Sequence, residues 1–226
     1  MKAGYLLATA VALSVAAFGG AAHATYTFDV WTGSSAGNVD AKKTADFPAP
    51  TGLPSATFSY TGPINFDDPA GPGSPNLFST FFGSNVAGIS GFSSPRGTYA
   101  NEAAFLGASM SSEGDAIDTF LSISGGSYSG PAFAGSIDHD DGGQIFLDGS
   151  TTTALCGDPA EESEHSESCA FPSGHHTFEI LYAEDNGAPS ILKASVPPPS
   201  VPEPAAIALL GAGLVGLGVV RWRKIS

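Results

Sequence analysis

Between residues 25 and 200 the hydrophobic positions occur in short runs that Gly, Pro, Ser and Asp residues interrupt. No window in this region keeps the spacing of an amphipathic helix beyond about two turns. Several runs instead alternate apolar and polar residues, as strands with one buried face do. The pattern predicts strands at 26–31, 55–60, 78–82, 119–123, 133–137, 144–147, 176–183 and 190–196, and one short helix at 102–110.

Eight short strands separated by turn residues indicate an all-β domain, and two packed sheets are favoured over a closed barrel. Gly and Pro total 46 of 226 residues, well above the roughly 7% Gly and 5% Pro of an average chain. The clearest alternation lies at 176–183, and it predicts that Phe178, Ile180 and Tyr182 or their neighbours face the core.

The first 24 residues follow a different pattern. Lys2 precedes an apolar stretch at 6–18, and the segment ends in Ala22-His23-Ala24. A basic start, an apolar centre and small residues two positions apart are the features of a secretory signal peptide. We therefore predict export, with cleavage after Ala24.

The other end is apolar as well. Positions 205–220 carry no charge, and Arg221-Trp222-Arg223-Lys224 follows at once. Sixteen helical residues span about 24 Å, and Trp222 with snorkelling basic side chains would complete a bilayer core of about 30 Å. Because basic residues favour the cytoplasmic side, the tail predicts a single transmembrane helix with the rest of the chain outside the inner membrane.

This tail resembles the PEP-CTERM sorting signal of Gram-negative bacteria. The match consists of Val201 followed by Pro202-Glu203-Pro204, a Gly-rich apolar helix and the basic cluster at 221–224, in that order. It implies processing near the triplet by exosortase, a membrane transpeptidase, and delivery to the outer surface or the extracellular matrix. A plain membrane anchor is the alternative. The chain then divides into a signal peptide (1–24), a β-sandwich domain (25–195), a Pro-rich linker (196–201) and the sorting signal (202–226).

Removal of both ends changes the charge. The whole chain has a formal net charge of −14, whereas residues 25–201 hold four basic and 21 acidic residues, a net charge of −17. So acidic a domain repels phosphates, which argues against a nucleic-acid partner.

The chain has two cysteines, Cys156 and Cys169. In an oxidising compartment they most simply form one disulfide. A zinc site with His165 and His175 or His176 is the competing interpretation, but the cysteine spacing matches no ordinary zinc framework.

Three segments near the end of the domain resemble the PA14-type β-sandwich, a jelly-roll-like fold. They are the turn Asp140-Asp141-Gly142, the strand at 145–149 that ends in Asp-Gly, and the strand that leads into Tyr182-Ala183-Glu184. In lectin-like members of that family an Asp-Asp pair binds calcium together with sugar hydroxyls. The resemblance thus implies a calcium site at Asp140 and Asp141, which Glu184 in the following loop would approach. A solvated turn is the alternative, because non-lectin members carry the same turn.

The sequence has no H-E-x-x-H motif, no P-loop and no G-x-G-x-x-G motif in a strand–helix context. Its 21 exported acids are too many for any carboxylate pair to indicate hydrolysis. We therefore expect a non-catalytic structural or adhesive component of the cell surface or matrix. The alternatives are a calcium-dependent carbohydrate-binding module and a secreted polysaccharide hydrolase. The expected partners are signal peptidase, exosortase, the inner membrane during sorting, and exopolysaccharide.

Overall fold

The computed structural model describes residues 24–33, 40–41, 52–68, 70, 74, 76–112, 117–160, 163–185 and 187–199. In these residues strands dominate, and the two α-helices are short. The strands are β1 (Thr25–Gly33), β2 (Ala56–Thr61), β3 (Asn65–Asp68), β4 (Asn76–Leu77), β5 (Ile89–Ser93), β6 (Ser109–Ser111), β7 (Asp118–Gly130), β8 (Phe133–Asp140), β9 (Gly142–Leu147), β10 (His165–Phe171), β11 (Gly174–Glu184) and β12 (Ser190–Ser195). The helices are α1 (Phe78–Phe82) and α2 (Glu102–Leu106), and a 3₁₀ turn (Gly83–Gly88) follows α1.

The strands form two main antiparallel sheets. One has six strands in the order β5-β2-β1-β7-β11-β9, and the other has four in the order β10-β8-β12-β3. The small pair β4-β6 stands apart from them. Inward side chains of both sheets meet in one core, which contains Phe28 of β1, Ile137 of β8 and Leu192 of β12. The predicted all-β sandwich is confirmed.

The main core is rich in aromatic rings. Phe28 is fully buried, and its ring centroid lies 5.0 Å from that of Phe58, 5.5 Å from Tyr60 and 5.9 Å from Phe66. The first pair is stacked and the other two are edge-to-face, and such contacts add to the free energy of simple burial. As the alternation predicts, Phe178, Ile180 and Tyr182 also enter this core.

A second, smaller core covers part of the outer face of the six-stranded sheet. It contains Trp31, Ala41, Phe120, Phe146, Leu181 and Ala183. The indole nitrogen of Trp31 donates a hydrogen bond to the Gly52 carbonyl at 3.1 Å, so the chain around residue 52 closes over this face. The central strands are therefore buried on both sides at this end, which explains why apolar residues in β11 become continuous after Glu179.

The prediction of a strand at 78–82 is wrong, because this segment forms α1. Phe78, Phe81 and Phe82 are buried on one helical face, a spacing that the run of β-favouring aromatic residues obscures. The hydroxyl of Thr80 accepts the Leu77 N–H at 3.1 Å and thereby caps the helix. The predicted helix at 102–110 is shorter than expected: α2 ends at Leu106, and β6 occupies its last positions.

Strands β3, β4, β5, β6 and β10 were not predicted from the sequence. They are short or lie at sheet edges, and β10 buries only Cys169 and Phe171. Both predicted end segments, the signal peptide and the sorting helix, lie outside the described residues except for Ala24. No helix within the described part of the chain is long and apolar enough to span a bilayer.

Candidate functional site

The Asp-Asp pair lies where the chain crosses from one sheet to the other. Strand β8 of the four-stranded sheet ends at Asp140, and β9 of the six-stranded sheet begins at Gly142. The peptide bond between Asp140 and Asp141 is cis, and the two residues are only 7% and 4% exposed. Two adjacent acidic residues are thus buried at the point where the chain changes sheets.

His139 holds the crossover from its β8 side. Its Nδ1 atom lies 2.7 Å from the carbonyl oxygen of Asp141, and its Nε2 atom lies 3.4 Å from the backbone nitrogen of Asp158. Since a carbonyl can only accept and an N–H can only donate, the ring is neutral with its proton on Nδ1. Burial lowers the pKa of His139 and so favours the same neutral form.

Two residues, one on β11 and one in the loop that follows it, form hydrogen bonds to the Asp pair from the side of the six-stranded sheet. The Tyr182 hydroxyl donates to the carbonyl oxygen of Asp140. The backbone N–H of Asp185 donates to the Oδ2 atom of Asp141 at 2.8 Å. The backbone of the pair and the carboxylate of Asp141 are therefore fixed by contacts from both sheets.

Glu184 is the last residue of β11 rather than part of the loop, and it is fully buried. Its Oε1 atom accepts hydrogen bonds from Ser111 at 2.9 Å and from Asn76 at 3.3 Å, and its Oε2 atom lies 2.7 Å from the Tyr182 hydroxyl oxygen. Burial, followed by the negative charge of Asp141, raises the pKa of Glu184 well above its usual range. Its carboxyl group thus joins a polar network towards β4 and β6.

Close backbone approach makes glycine necessary on the β9 side. A Cβ atom at Gly142 would lie 2.1 Å from the Pro159 carbonyl oxygen, and one at Gly143 would lie 2.7 Å from the His139 side chain. The Gly143 N–H donates to the Asp158 carbonyl at 2.8 Å. The loop after Cys156 therefore packs directly against the crossover.

The disulfide closes this same edge of the sandwich. Cys156 and Cys169 are bonded, with their Cα atoms 5.3 Å apart, as predicted. Cys156 pairs with Ile145 of β9 through an isolated bridge, whereas Cys169 lies on β10. The bond thus joins the edges of the two sheets, and it excludes both sulfurs as zinc ligands.

The crossover supplies only part of the ligand set that calcium requires. Calcium takes about six to eight oxygen ligands, mostly carboxylate, carbonyl and water, and Asp140 with Asp141 offers oxygen chemistry of this kind. Of the three predicted ligands the structure places these two together, whereas the Glu184 carboxyl bonds to other partners. Within the described residues no group of three or more His, Cys, Asp or Glu side chains is arranged to hold a metal ion. The pair fits calcium only if solvent or a bound sugar supplies most of the ligands.

Comparison with solved structures defines the fold as PA14-like. The PA14 sugar-binding domain from an RTX adhesin aligns with a TM-score of 0.51 and 15% identity, over 76% of this chain and 89% of that chain. The PA14 domain of the antifreeze protein MpAFP aligns with a TM-score of 0.50 and 14% identity, over 76% of this chain and 81% of that chain. A search of curated proteins found no match.

The sorting signal is identified independently. Residues 200–224 match the family model of the PEP-CTERM protein-sorting motif. The chain is thus an exported, exosortase-sorted cell-surface protein of the Gram-negative type, with a PA14-like β-sandwich. The predicted processing residues Pro202, Glu203 and Pro204 and the basic residues Arg221, Trp222, Arg223 and Lys224 lie within this motif and outside the described residues.

Two side chains that shape the crossover, His139 and Tyr182, were not among the predicted site residues. His139 directly precedes the Asp pair, and such a position is a usable signal for a local hydrogen bond. Tyr182 and Glu184 are two residues apart on one strand and therefore share a face. What the sequence does not reveal is that this face meets the crossover.

Proposed function

We propose that this protein is a non-catalytic surface adhesin whose PA14-like domain binds extracellular carbohydrate through calcium at Asp140 and Asp141. The observation that carries the proposal is the pair of adjacent Asp residues at the sheet crossover. Their backbone is held by His139 and Tyr182, and the Asp141 carboxylate is held by the Asp185 N–H. The alignment with a sugar-binding PA14 domain of an adhesin supports it.

In this proposal the residues of the crossover bind the calcium ion and orient it for the sugar. Asp140 and Asp141 would hold the ion through their carboxylates, and the hydrogen bonds to their backbone oxygens keep both in place before binding. Calcium, when bound, supplies a positive charge and open coordination positions for sugar hydroxyls. A site with few protein ligands suits this role, because several positions are left for the sugar.

We also propose that the chain is cleaved at both ends during export. Strand β1 begins at Thr25, so cleavage by signal peptidase after Ala24 would leave it intact. Ala24 itself packs partly against the main core. The domain at 25–195 and the linker at 196–201 would then be released by exosortase near Pro202-Glu203-Pro204, after transient anchoring by the tail and its basic cluster. Mass spectrometry of the surface form, with and without exosortase, tests both cleavages.

Calcium binding is tested by thermal unfolding and titration calorimetry of the purified protein, with and without chelator. At a calcium concentration about 100 times the dissociation constant, binding adds about 2.7 kcal/mol to the free energy of unfolding. For a domain of this size the melting temperature then rises by about 5–10 °C. Asp140→Asn and Asp141→Asn should each abolish this rise.

Asp138→Asn is the matched control, because Asp138 lies two residues earlier and bonds to Ser166 on the exposed face. It removes the same charge and should keep the calcium response. No heat and no melting shift for the native protein in millimolar calcium would contradict the calcium site. A glycan array read with and without chelator then separates a lectin from a structural component, which would retain no glycan.

A further inference from the structure

A cleft lies along strand β5, at the edge of the six-stranded sheet opposite β9. It has a volume of about 540 Å³, and its walls include Phe92 of β5, Tyr99, Asn101 and Glu102. Strands β5 and β9 are the two edges of this sheet, five strand spacings apart. The cleft therefore lies along the edge of this sheet opposite to the one at which the Asp-Asp crossover lies.

The cleft holds aromatic side chains that the fold leaves partly exposed. Among the described aromatic residues, only Phe92, Tyr99 and Phe133 are not buried, and two of these three line this cleft. Both rings rest on the buried ring of Phe105, at centroid distances of 5.5 Å and 5.4 Å. The hydroxyl of Tyr99 is 3.0 Å from that of Thr32, which fixes the ring further. The result is a pair of fixed, partly exposed rings among the polar groups that line the cleft.

Unused polar groups stand beside these rings. The Oδ1 atom of Asn101 accepts the Ala104 N–H at 2.9 Å, while its Nδ2 group makes no hydrogen bond within the described residues. The carboxylate of Glu102 makes neither a hydrogen bond nor an ion pair in the described part of the chain. The cleft therefore presents an amide donor and a charged acceptor next to aromatic surface.

We propose that this cleft is a second carbohydrate-binding site, independent of calcium, that takes neutral sugars. A pyranose ring has apolar C–H faces that pack on aromatic side chains and hydroxyls that need donors and acceptors at the rim, and Phe92, Tyr99, Asn101 and Glu102 supply both. The Glu102 carboxylate repels uronic acids and thus selects against acidic sugars. The site requires neither Asp140 nor Asp141, so it does not depend on the calcium proposal.

A glycan array of neutral and uronic-acid oligosaccharides tests the site. The full chain is probed in chelator, in a detergent without a sugar headgroup. We expect neutral glycans to be retained under these conditions. Phe92→Ala should abolish this retention. Asn101→Asp, which keeps the helix cap because Asp caps as well as Asn, should weaken it about threefold to tenfold through loss of one donor.

Two further variants complete the test. Tyr99→Phe keeps the ring and should still bind, and Glu102→Gln should retain uronic-acid glycans that the native chain rejects. Absence of chelator-resistant binding by the native chain overturns the proposal, as does binding that survives both Phe92→Ala and Asn101→Asp. Asp141→Asn separates the two sites, since it should remove only the glycans that need calcium.

Discussion

The disulfide at the sandwich edge gives the most direct test of how this domain is held together. Reduction, or replacement of both cysteines by alanine, opens a loop whose ends are 13 residues apart in sequence. In the chain-entropy model a closed loop of this length contributes about 3 kcal/mol to the free energy of unfolding. Because the loop packs on Gly142 and Gly143, its release should also weaken calcium binding at the neighbouring crossover.

Denaturant unfolding, followed by the fluorescence of buried Trp31, measures the loss. Reduced native protein and the double alanine variant should both lose about 3 kcal/mol, which lowers the melting temperature by about 6–12 °C for a domain of this size. The variant should lose slightly more, since both sulfurs are buried and their removal leaves small cavities. A loss below about 1 kcal/mol in both samples would refute the reasoning.

Two other predictions concern packing and pH. Gly142→Ala places a Cβ atom 2.1 Å from a backbone carbonyl oxygen. It should lower the free energy of unfolding, measured by denaturant melts, by about 2 kcal/mol or more. Gly107→Ala is the control and should be nearly neutral, because the nearest atom to its Cβ would be 3.4 Å away. The hydrogen bond between His176 and Asp148 raises the pKa of the histidine and lowers that of the aspartate. The contribution of His176 to the free energy of unfolding is therefore full below pH 6.5 and is lost as pH rises through the pKa of His176 in the folded state. The contribution of Asp148 is lost as pH falls through the pKa of Asp148 in the folded state. His176→Asn should flatten the melting-temperature profile near neutral pH and His175→Asn should not; identical profiles for the two variants would contradict the assignment.

The fold could be predicted from the sequence where one face of a strand is buried and the other face is exposed to solvent. Strands β1 and β2 alternate in this way along most of their length, and β11 does so up to Ile180. The error at 78–82 arose because Phe side chains favour strands, while their burial against the aromatic core follows a helical spacing. Edge strand β10 was missed because most of its residues are polar and touch solvent.

The candidate site was only partly predictable for a related reason. Adjacent acidic residues are visible in the sequence, so Asp140 and Asp141 could be selected in advance. Their fixation depends on Tyr182, which is 42 positions away from Asp140 and reaches it only through the packing of two sheets. Local spacing contains no information on such a contact. For the same reason the bonding of Glu184 to Ser111 and Asn76 could not be foreseen.

The pairing of β8 with β12 determines how the domain would respond to mechanical load. In this antiparallel pair Ile191 lies opposite Asp140, and Ser195 lies opposite Ser136. A ligand held at Asp140 and a tether beyond Ser195 would pull on opposite ends of the two strands. Force along this line shears the interstrand hydrogen bonds together instead of opening them one after another. The mechanically resistant direction of the domain therefore runs along β8 and β12, between the Asp140 end and the Ser195 end.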